Sequence, residues 1–253
     1  MRFQKTSTIC ISGLTAIVIG ACGGGDASGD QGAQPEPLPQ GSEPVSLDPA
    51  EFTTESDNPY WPMSPGDRWV YRETARGEPA LDVVVTVTER TKQIANGVEA
   101  RVVRDVVSHN GEPVEVTDDW YAQDADGNVW YLGEKTAEYV NGEVTTRAGS
   151  FEAGVDGAEA GIIMPADPQD GMAYRQEYYE GEAEDEAEVL SLDEQAEGPV
   201  GYFESTLMTK DLVPLEPKVS EHKFYAEGVG LVLALDISGG SGREELISYT
   251  EGG

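Results

Sequence analysis

Carboxylates are the side chains with which this chain could do chemistry: 48 of 253 residues are Asp or Glu, against 16 Lys and Arg and two His. Glycoside hydrolysis needs only two carboxyl groups about 5 to 10 Å apart across a sugar. Glu134, Glu152, Asp156 and Glu177 lie near aromatics able to stack on one. No spacing singles out a pair among them, so a carbohydrate-active enzyme is an alternative and not the leading reading. A calcium loop is the other candidate. Within "DWYAQDADGNVWYLGE", residues 119–134, Asp124, Asp126 and Asn128 offer alternating oxygens. An EF-hand wants glycine at loop position 6 and a bidentate glutamate at position 12. Counting from Asp124 puts Val129 and Lys135 there; placing Gly127 at position 6 puts Gly133 at position 12. Both frames fail, and Asp126-Gly127 reads first as a hairpin turn. No cofactor is expected, with calcium on Asp124, Asp126 and Asn128 the alternative.

Other chemistries lack residues. There is no G-x-S-x-G elbow, H-E-x-x-H pair or phosphate loop. His109 precedes an Asn-Gly turn and His222 stands in a strand pattern, each without a second imidazole nearby. A net charge of −32 repels nucleic acid and anionic headgroups. The run Glu182, Glu184, Asp185, Glu186 and Glu188 reads as a solvated face.

The N-terminus is the most informative segment. Arg2 and Lys5 precede an apolar stretch, Ile9 to Ile19, that is too short to span a bilayer. This reads as a secretory signal peptide over residues 1–21. Its end, Ile19-Gly20-Ala21-Cys22, resembles the lipobox of bacterial lipoproteins, in which the cysteine is lipidated. The resemblance implies export and anchoring to a bacterial membrane through acyl chains on Cys22. Cys10 would leave with the signal, so no disulfide or free thiolate is expected in the mature chain.

These residues must be positioned by β-structure. Residues 22–57, rich in Gly, Pro, Ser and acids, read as a flexible tether, and a single β-rich domain is expected over 58–253. Leu81, Val83, Val85 and Val87 alternate with partly polar neighbours, a period-two strand. Asn96-Gly97, Asn110-Gly111, Asp126-Gly127 and Asn141-Gly142 each read as a type I′ turn. Those turns set Val87 opposite Val106, Val107 opposite Val114, Trp130 opposite Gln123 and Tyr139 opposite Val144. The stretch around Ile162, Ile163 and Met164 reads as a covering loop. A second meander follows from Tyr174 to Tyr249, with Phe224 opposite Leu231. Residues 182–192 have helical composition but alternate, which favours strand. "NPYWPMSPGDRW" reads as an aromatic plug or as the lip of an apolar cavity. The expected fold is mainly β: antiparallel meanders in one strongly curved sheet or partly closed barrel, with little helix.

Four blocks in order, "NPYWPMSPGDRWVYR", "DWYAQDADGNVWYLGE", "GSFEAGVDGAEAGIIMPADPQDGMAYRQEYY" and "EHKFYAEGVGLVLAL", resemble a family of uncharacterised bacterial exported proteins and lipoproteins. The resemblance implies a shared β-rich fold and an envelope location, and no activity. The leading expectation is a non-catalytic envelope lipoprotein. Its partners would be the membrane through Cys22 and a protein or small apolar ligand, with no nucleic acid.

Overall fold

The computed structural model describes residues 37–253. The signal segment and the motif Ile19, Gly20, Ala21, Cys22 lie outside the described residues. Sixteen strands follow one another. The first eight are β1 (Phe52–Thr53), β2 (Arg68–Thr74), β3 (Leu81–Gln93), β4 (Glu99–His109), β5 (Glu112–Asp124), β6 (Val129–Val140), β7 (Glu143–Thr146) and β8 (Phe151–Glu152). The rest are β9 (Glu159–Met164), β10 (Ala173–Arg175), β11 (Glu177–Tyr178), β12 (Glu186–Gly198), β13 (Gly201–Leu212), β14 (Ser220–Ala226), β15 (Gly230–Ser238) and β16 (Arg243–Thr250). A 3-10 turn, Pro49–Glu51, is the one helical element among the described residues. Residues 186–198 form a strand, as their alternation requires.

Thirteen strands form one antiparallel path, β10-β12-β13-β14-β15-β16-β2-β3-β4-β5-β6-β9-β11. Its two ends, β10 and β11, are separated in the chain by Gln176 alone. The extended segment 173–178 therefore pairs with β12 through its first half and with β9 through its second, which nearly closes the sheet into a barrel. Glycine makes this seam tight: a Cβ on Gly161 would stand 2.3 Å from the Gln176 carbonyl carbon. The region read as a covering loop is thus partly a strand, since β9 pairs with β6 and buries Ile162 and Met164 completely. Its small residues, Ala160 and Gly161, allow close approach where alternation is absent.

Two of the four turn dipeptides are type I′, with positive φ at both central residues: Asn110 (52°) with Gly111 (83°), and Asn141 (53°) with Gly142 (79°). Tyr139 accordingly faces Val144. At Asn96-Gly97 and Asp126-Gly127 only the glycine has positive φ. Gly127 N–H donates to Asp124 O (3.1 Å) and Asp124 N–H to Asn128 O (2.9 Å), a three-residue loop ending in a bulge. The extra loop residue slips the expected register by one, so Trp130 faces Ala122 and Tyr131 faces Tyr121. A further bulge in β3 places Val87 opposite Val103, one in β5 places Val107 opposite Glu115, and one in β15 places Phe224 opposite Leu233.

The body begins at Leu38, not near Asn58. Leu38, Val45, Leu47 and Phe52 pack against the core, and β1 pairs with β5. Arg175, 1% exposed, clasps this strap. Its guanidinium donates to Gly41 O (2.8 Å), Glu43 O (2.7 Å) and Ala160 O (2.6 Å), and its N–H to Pro39 O (2.8 Å). Residues 38–57 therefore belong to the barrel and not to the tether. Inside, Trp61 packs edge-on to Tyr121 of β5 (5.4 Å) and tilted on Tyr225 of β14 (6.3 Å), bridging strands far apart in the path. Tyr121 stacks on Tyr131 at 4.9 Å, and Met63 is fully buried. The aromatic block thus packs inward against the barrel core, as a plug would.

Candidate functional site

Strand alternation sends Tyr121 inward and Trp120 outward. On that outer face β3 to β6, with β8, form an open groove of about 700 Å³ whose lining includes Arg90, Lys92, Asp118, Trp120, Glu134 and Glu152. Its carboxylates are engaged. Asp118 receives Arg90 through Nη2 (2.8 Å) and Nη1 (3.2 Å), and Arg104 through Nε (2.9 Å) and Nη2 (3.2 Å). Burial pulls the Asp118 carboxyl upward, but the hydrogen bonds from Arg90 and Arg104 outweigh it and hold it below the ordinary carboxylate range. Lys92 reaches Glu152 (2.9 Å) and lies 4.5 Å over the Trp120 ring. Glu152 also accepts the Ala95 N–H (2.9 Å).

Of the four carboxylates singled out for sugar chemistry, the structure brings Glu134 and Glu152 to this groove. The Glu134 carboxylate is turned to the Tyr131 hydroxyl (2.8 Å), which also lies 2.7 Å from Asp119. Burial, then the charges of Asp119 and Glu134, push Tyr131 well above the usual phenol range. Glu177 is half-buried in β11, and Asp156 is exposed on a turn with φ 52°. Neither lines the groove.

Asp124, Asp126 and Asn128 form the β5–β6 turn, and their donor set does not fit calcium. Asp124 Oδ1 accepts the N–H of Asp126 (3.0 Å) and of Asn128 (2.8 Å). Its Oδ2 accepts Asn128 Nδ2 (2.9 Å) and Trp130 Nε1 (2.7 Å). Asn128 Oδ1 accepts the Ala166 N–H (2.9 Å), so two of the three residues direct their oxygens at protein donors. Among the described residues no group of three or more His, Cys, Asp or Glu is placed to hold a metal. His109 and His222 are half-buried in β4 and β14, far apart in the strand path.

A second charged cluster faces inward, and sequence reasoning missed it. Asp211 takes Thr209 Oγ1 (2.7 Å), Lys223 Nζ (2.5 Å) and, at 3.4 Å, Gln176 Nε2. Glu221 stands 3.9 Å from the same ammonium. Burial pulls Lys223 downward, yet Asp211, Tyr225 and Glu221 outweigh it and hold it well above the ordinary lysine value. Further along the row, Ala234 separates Lys223 from Glu244, which pairs with Glu73. Burial, with Asp105 and Glu73 nearby, pushes Glu244 up to about 7. The available signal was alternation: Glu221, Lys223 and Tyr225 share the face of the buried tyrosine.

No family model and no curated protein matches this chain. Among solved structures, a candidate lipoprotein from Parabacteroides distasonis matches at a TM-score of 0.40 and 13% identity, covering 76% of this chain and 98% of that one.

Proposed function

We propose that this chain is an exported lipoprotein, anchored to a bacterial membrane by acyl chains on Cys22, whose barrel is a non-catalytic binding module presenting the outer groove. One observation carries the non-catalytic reading. Every carboxylate that lines the groove is already engaged: Asp118 by two guanidiniums, Glu152 by Lys92, Glu134 by the Tyr131 hydroxyl. A general acid or nucleophile needs a carboxyl aimed at the substrate, and these are aimed at protein. The anchor is supported by the order of basic residues, short apolar stretch and Ile19-Gly20-Ala21-Cys22.

Expression in a bacterium with radiolabelled palmitate tests the anchor. The expected result is a labelled, membrane-associated chain whose label and globomycin-sensitive processing vanish in Cys22→Ser. Unchanged processing in that variant defeats the anchor. Glu134→Gln and Glu152→Gln should remove no hydrolytic activity, whereas Lys135→Glu, on the exposed rim of the groove, should weaken partner capture from envelope extracts. A hydrolytic activity lost in either glutamine variant would replace the binding module with an enzyme.

A further inference from the structure

We propose that the inner face of the barrel between β10 and β2 binds a small alkyl diamine, at a site separate from the outer groove. Two adjacent register rows build that face. One runs Tyr174–Ala187–Asp211–Glu221–Asp236 across β10 and β12 to β15. The other runs Thr209–Lys223–Ala234–Glu244–Glu73 across β13 to β16 and β2. Asp105 of β4 lies close enough to act on Glu244. Six acids thus surround one lysine. Asp211 holds that lysine, Glu221 stands 3.9 Å from its ammonium, and Asp236 also accepts the Gly242 N–H (2.5 Å). Beyond Ala234 the row carries no cation at all: Glu244 and Glu73 are directly opposite each other, and Glu73 is 6% exposed. Like charges so placed destabilise a sheet unless a proton or a cation joins them.

Tyr174 supplies an independent sign of a ligand. It is 1% exposed, and its hydroxyl has no hydrogen-bond partner among the described residues. Only Ala187 separates it from Asp211 in the row, and so short a side chain lets the ring lie toward Asp211, Tyr225 and Lys223, whose charges it feels. Buried hydroxyls are ordinarily bonded, so this one lacks a neighbour. Access exists, because the Lys223 and Glu221 side chains are 26% and 23% exposed. Among the described residues no three acids are placed to hold a metal ion, so the excess charge suits a cation that reaches separated carboxylates. Lys223 shows the kind this face accommodates, a compact ammonium against Asp211 and beside Tyr225. A diamine places one ammonium between Glu221 and the Tyr174 hydroxyl and the other between Glu244 and Glu73. Its methylenes cross Ala234, the short residue between the two ends. Each ammonium brings three donors, and the tyrosine rings favour a cation near them.

Calorimetric titration of the full chain in mild detergent, at low ionic strength, tests this. The probe is butane-1,4-diamine, compared with butylamine, butane-1,4-diol and calcium chloride. Expected is binding of the diamine at least tenfold tighter than any of the three. It should weaken tenfold or more in Glu244→Gln and severalfold in Tyr174→Phe, which probe opposite ends of the ligand. Glu244 sits at about 7, so binding should also strengthen as pH rises from 5.5 to 8, where the amines stay protonated. The ligand-free melting temperature of Tyr174→Phe should equal or exceed the parent's, because the hydroxyl removed has no partner. Calcium binding as tightly as the diamine overturns the proposal, since a diffuse acidic surface would do the same. Equal binding of butylamine overturns the two-ended site. Absence of diamine binding, or indifference to both substitutions, overturns the proposal and leaves the Tyr174 hydroxyl to an ordered water. The groove and the anchor are untouched by any of these results.

Discussion

The outer groove and the inner cluster are inverse arrangements of the same charges. Outside, one carboxylate, Asp118, is held by two guanidiniums with Lys135 beside it. Inside, one ammonium, Lys223, is held by Asp211 with Glu221 beside it and Glu244 beyond. The attraction is the same and the solvent is not. Water screens the groove, where the arginines are about half exposed, so its pairs contribute little to folding and remain free to exchange for a ligand. The inner pair sits where Asp211 is 7% and Lys223 26% exposed, so removing the ammonium strands a buried carboxylate. The charges of the groove are therefore held loosely at the surface, while those of the interior are committed to the fold.

Removing the inner cation should break that contrast most severely. Lys223→Met leaves Asp211 buried and charged, and urea titration should show a loss of about 3 kcal/mol, the range for one-sided disruption of a buried pair. A loss below about 1 kcal/mol would place the inner pair in the same class as the groove. Glu244 comes next, with pH as the lever. Its folded value of about 7 lies above the ordinary 4.5, so folding takes up a proton. Its contribution to stability is fully present below pH 4.5 and is lost as pH rises through 7. The shift corresponds to at most about 3 kcal/mol, and less because the side chain retains some contact with water. Glu244→Gln should therefore raise the melting temperature at pH 8 and leave it unchanged at pH 4.5; equal melting curves at pH 8 would remove Glu244 from the buried cluster. The smallest effect belongs to the groove. Asp118→Asn should cost within about 1 kcal/mol, and high salt should erase most of the difference. A larger, salt-insensitive loss would make Asp118 part of the core.

Much of this architecture is legible in the residues. Alternation in Leu81 to Val87 and in Ala187 to Leu192 marks strands, and the Asn-Gly and Asp-Gly pairs mark hairpins. The turn type is not legible, because Asn96-Gly97 and Asn110-Gly111 share a dipeptide and differ in loop length. One extra residue then exchanges the neighbours of every strand residue, which moved Tyr131 from Ala122 to Tyr121. The strap escaped notice because Leu38, Val45, Leu47 and Phe52 are isolated among Gly, Pro and acids. Their anchor, Arg175, lies more than a hundred residues away. The groove is equally scattered in sequence, with Arg90, Arg104, Asp118 and Lys135 each alone in its strand. Only sheet register assembles them. The inner cluster was hidden by a habit of reading charge as exposure, which Lys223 contradicts.

The Arg175 clasp also gives the barrel a mechanical handle. A pull on the chain ahead of Leu38 is carried first by the bonds from Arg175 to Pro39, Gly41 and Glu43, together with Gln40 on Ala173. Those bonds join the strap to β10, the strand on one side of the seam, and the Arg175 bond to Ala160 joins the other side. Force applied to the N-terminal chain is thus spread across the line where the barrel would otherwise unzip.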